Sequence, residues 1–168
     1  MIELEDIILI PISTEAEVDA LYPIVEQIWQ AHFPAIIGQA QVDYMLSHYQ
    51  STAVILAEIE SGRAYYLLTQ DDQEIGYIAY DTCSDYLYLS KLYLIESMRG
   101  RGYLRQILEY LEKLAVSLGK NAFHLNVNKD NVTTIQIYQH FGFKIVNQTK
   151  QPLGPYFLDD YEMIKQLK

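Results

Sequence analysis

Three of the chain's four arginines, Arg99, Arg101 and Arg105, fall within one short window with Gly100 and Gly102, although the formal net charge is −10. A cationic cluster in an acidic chain calls for a local cause, and an anion is the simplest one. The residues after the window are helical in pattern: Leu104, Ile107, Leu108, Leu111, Leu114, Ala115 and Leu118 recur at i, i+3, i+4 and i+7. A helix start offers backbone N–H groups without partners and the positive end of the dipole. Glycines there let the chain turn and approach a bulky anion closely. A glycine turn with solvated arginines would use the same residues. Two common phosphate loops do not fit. A P-loop needs Gly-Lys-Ser/Thr, where Tyr103-Leu104-Arg105 stand, and the dinucleotide fingerprint needs a small residue where Arg105 stands.

The elements that must position this loop follow from periodicity and turn chemistry. Residues 2–12 read as a first strand, with Pro11 at its end. Ser13 or Thr14 caps a helix to about Ala31, with Leu21, Ile24, Val25 and Ile28 on one face. A second helix is expected over 39–50, and 53–59 fits a strand or a helix equally. Ala64–Thr69, the polar turn 70–74 and Ile75–Tyr80 form a hairpin, and a further turn leads into a long strand, Tyr86–Ile95. Gly119 closes the helix over 102–118. Phe123, Leu125 and Val127 then alternate with polar residues in a strand over Ala122–Asn128. Asp130 or Asn131 caps a helix through Tyr138 that Gly142 ends, and Lys144–Gln148 and Asp160–Leu167 are closing strands. The two strands flanking helix 102–118 form a crossover unit and are expected to be parallel. No linker or repeat divides the chain, so residues 1–168 are read as one domain.

Arg99-Gly100-Arg101-Gly102-Tyr103-Leu104 resembles the Gln/Arg-x-x-Gly-x-Gly/Ala motif of the GNAT superfamily of N-acetyltransferases. The match is Arg99 and Gly102, with the frequent extra Gly100. The last position departs, being Leu104 instead of a small residue. Lys91-Leu92-Tyr93-Leu94 is similar to the family strand that pairs with the pantetheine arm. The stretch from Asn128 through Asn131, Ile137-Tyr138 and Phe141-Gly142-Phe143 is similar to the family's second motif, and Asp160-Tyr161-Glu162-Met163 to its closing strand. Motif spacing and element order agree over about residues 54–168. The resemblance implies an α/β fold of the α+β type: a GNAT-like mixed, mostly antiparallel central sheet flanked by about four helices.

It also implies acetyl-CoA as cosubstrate, with no metal. The pyrophosphate would lie on Arg99–Leu104, Leu92 and Leu94 would supply main-chain contacts, and Asn131 and Phe141 would lie against the cofactor. Tyr138 would be the general acid, because a phenol pKa of about 10 is near enough to a thiol pKa of about 8.5 for proton donation. Packing alone would account for Leu92, Leu94, Phe141 and Tyr138, and capping for Asn131. An amine acceptor must lose a proton; His32, Glu58, Glu96 and His124 have the right chemistry, and the sequence does not rank them.

The first helices and closing strands are rich in aromatic and acidic groups (Trp29, His32, Phe33, Tyr44, Tyr49, Tyr156, Asp159, Asp160, Tyr161), which suit an ammonium-bearing small molecule. Ile28-Trp29-Gln30-Ala31-His32-Phe33 together with Lys91–Leu94 is similar to bacterial polyamine-type acetyltransferases. A protein amine, N-terminal or lysine, is the second reading, and Leu104 keeps open a CoA-binding regulatory domain without turnover. The acidic balance argues against nucleic acid. No apolar run reaches membrane-spanning length, the start lacks a basic leader and Cys83 is the single cysteine, so a cytoplasmic protein is expected. Exposed strands of such a fold could pair two chains into a homodimer.

Overall fold

Thr14 decides where the first helix begins. In the computed structural model, which describes residues 1–168, its hydroxyl accepts from the Glu17 backbone N–H while the Glu17 carboxylate accepts from the Thr14 N–H at 3.0 Å. This reciprocal cap opens α1, Glu15–His32. Val18, Leu21, Ile24, Val25, Ile28 and Trp29 form its buried stripe, each side chain contributing roughly 1.5–3 kcal/mol. The helix runs through Pro23 and gives up a backbone donor there.

Two compact units are present: Met1–Asp81 with Lys91–Leu108, and Thr82–Ser90 with Glu109–Lys168. In the first, the expected strand over 2–12 is two strands, β1 (Ile2–Glu3) and β2 (Ile8–Ile12), paired antiparallel about a turn that the Leu4 N–H closes on the Ile7 carbonyl at 2.8 Å. β2 pairs with β3 (Ala64–Gln70), and β3 with β4 (Gln73–Thr82), both antiparallel. Asp71 and Asp72 take left-handed conformations, φ 50° and 62°, the geometry that matches hairpin twist. Three further helices are α2 (Pro34–Ile37), α3 (Gln39–His48) and α4 (Thr52–Glu60). The ambiguous stretch 53–59 is thus helical, because Ser51 caps it by accepting from the Val54 N–H.

β5 (Tyr86–Leu94) and α5 (Tyr103–Ser117) each contribute to both units. In the second unit β5 runs parallel to β6 (Ala122–Asn128), as the crossover requires. α6 spans Val132–Phe141 and ends on Gly142 at φ 109°. Asn131 precedes it, but its side chain makes no capping bond; the local side-chain bond comes from Asn128, whose Oδ1 accepts from the Asp130 N–H at 2.9 Å. β7 (Lys144–Leu153) and β8 (Tyr156–Gln166) form a hairpin much longer than the two short strands expected, and β8 also pairs antiparallel with β6. Strand order is β1-β2-β3-β4-β5-β6-β8-β7, the mixed and mostly antiparallel arrangement that the resemblance implies, with six helices where about four were expected.

Gly76, in the middle of β4, is fixed by packing. A Cβ there would stand 2.1 Å from the Tyr93 carbonyl oxygen and 3.1 Å from the Leu94 Cα. Both are β5 backbone and cannot swing aside. Gly76→Ala should therefore lower stability by about 2 kcal/mol or more, read as a fall in thermal midpoint. An unchanged midpoint would show that β4 and β5 can separate freely.

Candidate functional site

The loop is shaped by what happens after β5 ends. Ile95 keeps the sheet hydrogen bond, its N–H donating to the Ile75 carbonyl at 2.8 Å. A single 3-10 turn follows at Glu96–Met98. Gly100 and Gly102 then take φ 73° and 83°, conformations that disfavour a side chain. Nothing lies within 4 Å of a Cβ built on either, so open space faces both glycines. Gly102 supplies the carbonyl that accepts the first helical bond of α5, from the Gln106 N–H. The N–H groups of Tyr103, Leu104 and Arg105 therefore precede the helical ladder and have no partner within it. Tyr103 is buried, Leu104 is half-buried and Arg101 and Arg105 are exposed. A pyrophosphate fits this arrangement: backbone donors, space above two glycines, and cationic side chains beside them.

Arg99 does something the sequence does not reveal. Its Nε and Nη2 donate to the Leu94 carbonyl at 3.3 and 3.2 Å, and Nη1 lies 3.0 Å from His32 Nδ1. Arginine has no acceptor, so this contact places the His32 ring proton on Nε2. Burial lowers the guanidinium pKa and Glu96 opposes that shift. Arg99 is thus a latch that ties the loop to the last turn of β5 and to the end of α1. A cavity of about 410 Å³ adjoins the latch, between Gln27, Ile28 and Ala31 of α1 and Ile95, Glu96, Ser97 and Arg99. A second, of about 200 Å³, shares Ala31, Glu96 and Arg99 and adds His32 and Ala35.

Leu92 and Leu94 are both buried, and the Leu94 carbonyl already accepts from Arg99. Lys91, next to Leu92, is buried as well, with its ammonium paired inside the first unit. It donates to Glu58 Oε1 at 3.0 Å and contacts the Tyr65 hydroxyl. Tyr65 donates to the same carboxylate at 2.6 Å, and Arg63 bridges Glu58 to Asp81, donating to the latter at 3.0 and 2.9 Å. Burial pushes the Lys91 pKa down and the Tyr65 phenol up, with Glu58 opposing the first shift and reinforcing the second. Glu58, a proton-acceptor candidate by residue type, is a structural anchor whose carboxylate receives three donors. Glu96 lines the cavities, and His124 stacks on Tyr86 with ring centroids 3.9 Å apart. No grouping of three His, Cys, Asp or Glu side chains is placed to hold a metal ion. No helix is long and apolar enough to cross a membrane.

In the second unit, Tyr138 is a buried residue of α6, 6% exposed, with its ring edge-on to Phe143 at 5.8 Å. Burial raises its phenol pKa, which keeps the proton on oxygen at neutral pH. Phe141 stacks on Phe143 and carries the Lys165 ammonium 4.0 Å above its ring. Asn131 is half-buried.

Known proteins resemble this chain in both sequence and fold. Residues 22–143 match the model of the acetyltransferase (GNAT) family. An uncharacterised N-acetyltransferase of Mycobacterium tuberculosis is 32% identical over 79 residues, which is 47% of this chain and 51% of that protein. The aligned stretch thus spans about half the length of the curated relatives it matches. Among solved structures, the PaiA N-acetyltransferase of Thermoplasma acidophilum in complex with coenzyme A has a TM-score of 0.78 at 20% identity, covering 95% of this chain and 98% of its own. A GCN5-related N-acetyltransferase of Rhodopseudomonas palustris has a TM-score of 0.79 at 17% identity, covering 99% of both chains. The ribosomal-protein-S18-alanine N-acetyltransferase of Escherichia coli has a TM-score of 0.72 at 17% identity over 96% of this chain and 94% of its own. At these identities the structural likeness is one of fold.

The Lys91 cluster yields a stability test. Glu58→Ala strands an ammonium that is almost wholly enclosed and should cost about 2–4 kcal/mol, whereas Lys91→Met keeps the volume, removes the buried charge and should cost less. Denaturant midpoints of the two variants give the comparison; the reverse order would mean that Lys91, not its desolvation, governs the cluster.

Proposed function

Because the chain belongs to the acetyltransferase (GNAT) family, we propose that it transfers the acetyl group of acetyl-CoA to a primary amine of a small, cationic, polyamine-like acceptor. The observation that carries the cofactor half is the loop Arg99–Leu104, with open space at two left-handed glycines directly before the first turn of α5. The acceptor half rests on the acidic balance of the chain and the acidic and aromatic residues of its closing strands.

In this reading the N–H groups of Tyr103, Leu104 and Arg105 hold the pyrophosphate, with Arg101 and Arg105 adding charge. Leu104 does not obstruct this role, since the contacts are main-chain. Arg99 holds the loop in place through Leu94 and His32 and leaves phosphate contact to its neighbours. The backbone at Leu92 and Leu94 receives the pantetheine arm, with the Asn131 amide and the Phe141 ring as further contacts on the arm.

The reaction has three parts. The acceptor arrives as an ammonium and releases one proton to water, because an unperturbed amine pKa of about 10.4 leaves only roughly 0.1% or less neutral at pH 7. The amine lone pair then attacks the thioester carbonyl carbon, and the oxygen that becomes negative is stabilised by a backbone N–H of the Leu92–Leu94 segment. Collapse of the tetrahedral intermediate breaks the C–S bond; the attacking nitrogen gives up its second proton to water, the departing sulfur takes the phenolic proton of Tyr138, and the phenol is reprotonated from solvent. Burial raises the Tyr138 phenol pKa, so the group is protonated when the thiolate departs and is available as a donor.

Two substitutions test the reading. Tyr138→Phe should lower kcat about 100-fold at unchanged acetyl-CoA affinity, measured by thiol release with an amine panel of polyamines, peptides and aminoglycosides. A wild-type rate would remove Tyr138 as the acid. Gly102→Val should weaken CoA binding at least about tenfold by calorimetry, since the side chain is strained at positive φ and occupies the anion's space. Intact affinity would place the pyrophosphate elsewhere. CoA binding without turnover on any amine of the panel would favour a non-catalytic CoA-binding domain.

A further inference from the structure

The four residues between Met98 and Tyr103 lie outside the packed core. Met98 and Tyr103 are buried, whereas Arg99, Gly100, Arg101 and Gly102 are exposed. Beyond the chain neighbours, no atom lies within 4 Å of a Cβ built on either glycine. The position of this stretch therefore depends on polar contacts at its two ends. After it, the Asp6 N–H donates to Gln106 Oε1 at 3.2 Å, and Gln106 Nε2 donates back to Asp6 Oδ2 at 2.7 Å. Before the glycines the tie is Arg99, and its acceptor outside the β5–α5 segment is His32 Nδ1 at 3.0 Å.

His32 is mounted so that it can be the fixed end of that contact. It closes the last turn of α1, and its ring meets the Phe33 ring edge-on with centroids 4.9 Å apart. Phe33 is buried, stacks on Trp29 at 4.2 Å and meets the Tyr93 ring at 5.7 Å. Trp29 in turn donates from Nε1 to the Tyr77 hydroxyl at 3.0 Å. Tyr93 directly precedes Leu94, whose carbonyl takes the other Arg99 donors. The contacts thus close a circuit from β5 through Phe33, His32 and Arg99 back to β5. The guanidinium fork meets acceptors whose positions the strand and the aromatic stack already fix. The circuit also depends on the charge of one ring. A neutral imidazole offers Nδ1 as an acceptor, whereas an imidazolium carries N–H on both nitrogens and repels a guanidinium.

We propose that His32 is a positioning residue for the cofactor: its neutral ring, acting through Arg99, sets the pyrophosphate loop, and CoA affinity falls when the ring is protonated. The assignment rests on the reading of Arg99–Leu104 as the pyrophosphate loop and adds a residue of α1 to it. The charged groups that share the small cavity with His32 are Arg99, which opposes protonation of the ring, and Glu96, which favours it; α1 and α2 contribute Ala31 and Ala35. Imidazole changes charge between about pH 5 and 8. CoA binds best with the Arg99 contact closed, so its affinity is full at the alkaline end of that window and declines as the pH falls through it.

The test uses the full chain with CoA as probe, its affinity measured by calorimetry across about pH 5 to 8. His32→Asn keeps an acceptor oxygen where Nδ1 stands and does not titrate; His32→Leu removes the acceptor. At the alkaline end the Asn variant should bind CoA as the wild type does, and the Leu variant about tenfold more weakly. At the acid end the wild type should lose affinity several-fold relative to the Asn variant. The monoester phosphate of CoA titrates in the same range but acts equally on both proteins. Equal losses in the Asn and Leu variants, or parallel pH profiles for the wild type and the Asn variant, overturn the role of His32. If the Leu variant does not fold, the pH comparison decides alone. Gly102→Val separates this proposal from the one beneath it. Binding weakened by Gly102→Val but untouched by His32→Leu overturns the role of His32 only, whereas intact binding in Gly102→Val removes the loop reading itself.

Discussion

Arg99 spends its guanidinium donors on the protein, and most of the loop's usefulness follows from that choice. Two of them close on the Leu94 carbonyl and a third meets His32 Nδ1. The carbonyl at the end of a strand is a natural site for water, and a mobile loop would follow the water. Held by a fork with several N–H groups in one plane, the chain leaves β5 in one direction only. Gly100 and Gly102 then complete the turn in conformations other residues resist. The result is a helix start whose first N–H groups are fixed in position before any ligand arrives, so binding needs little ordering of the backbone.

The same strand is fixed further back by a charged cluster. Lys91 has its ammonium enclosed among Glu58, Tyr65 and the charges of Arg63 and Asp81. Desolvation makes such a group a cost unless every donor finds an acceptor. Here the acceptor comes from α4, so β5 cannot move relative to α4 without stranding a charge. On β4, Gly76 allows the β5 backbone to approach within a distance no side chain would permit. Lys91 and Gly76 therefore act on neighbouring stretches of one strand, the first by direction and the second by proximity. Both sit beside Leu92 and Leu94, the stretch proposed to meet the pantetheine arm and the oxyanion.

Which of these features the sequence reveals depends on whether they are local. The loop is legible because glycines, arginines and the onset of a 3.6 period are adjacent in the chain. The crossover pair β5 and β6 and the hairpin β3–β4 are legible for the same reason. The Arg99 latch is not, since His32 lies 67 residues away and nothing in the spacing joins them. Lys91 gives a faint signal as a lone charge in an otherwise apolar strand, but its partner on α4 is 33 residues distant. Gly76 gives a clearer one, because an isolated glycine inside a strand often marks close backbone approach. The closing hairpin reads short because β7 is exposed along nearly its whole length; without a buried face it has no alternation to detect. Asn131 reads as a cap by residue type, yet the local geometry gives the side-chain bond to Asn128.

The chain concentrates its few arginines against an acidic background. Three of its four arginines lie at residues 99–105, within a chain of net charge −10. At physiological ionic strength fields decay over about 8 Å, so net charge cannot instruct a ligand where to bind. Local sign can. An acidic chain with a short cationic loop repels anions in general and admits one at the helix start, where backbone donors add to the arginines. A net charge of −10 is thus a poor guide to what this protein binds, whereas the placement of a few charges against that background is a good one.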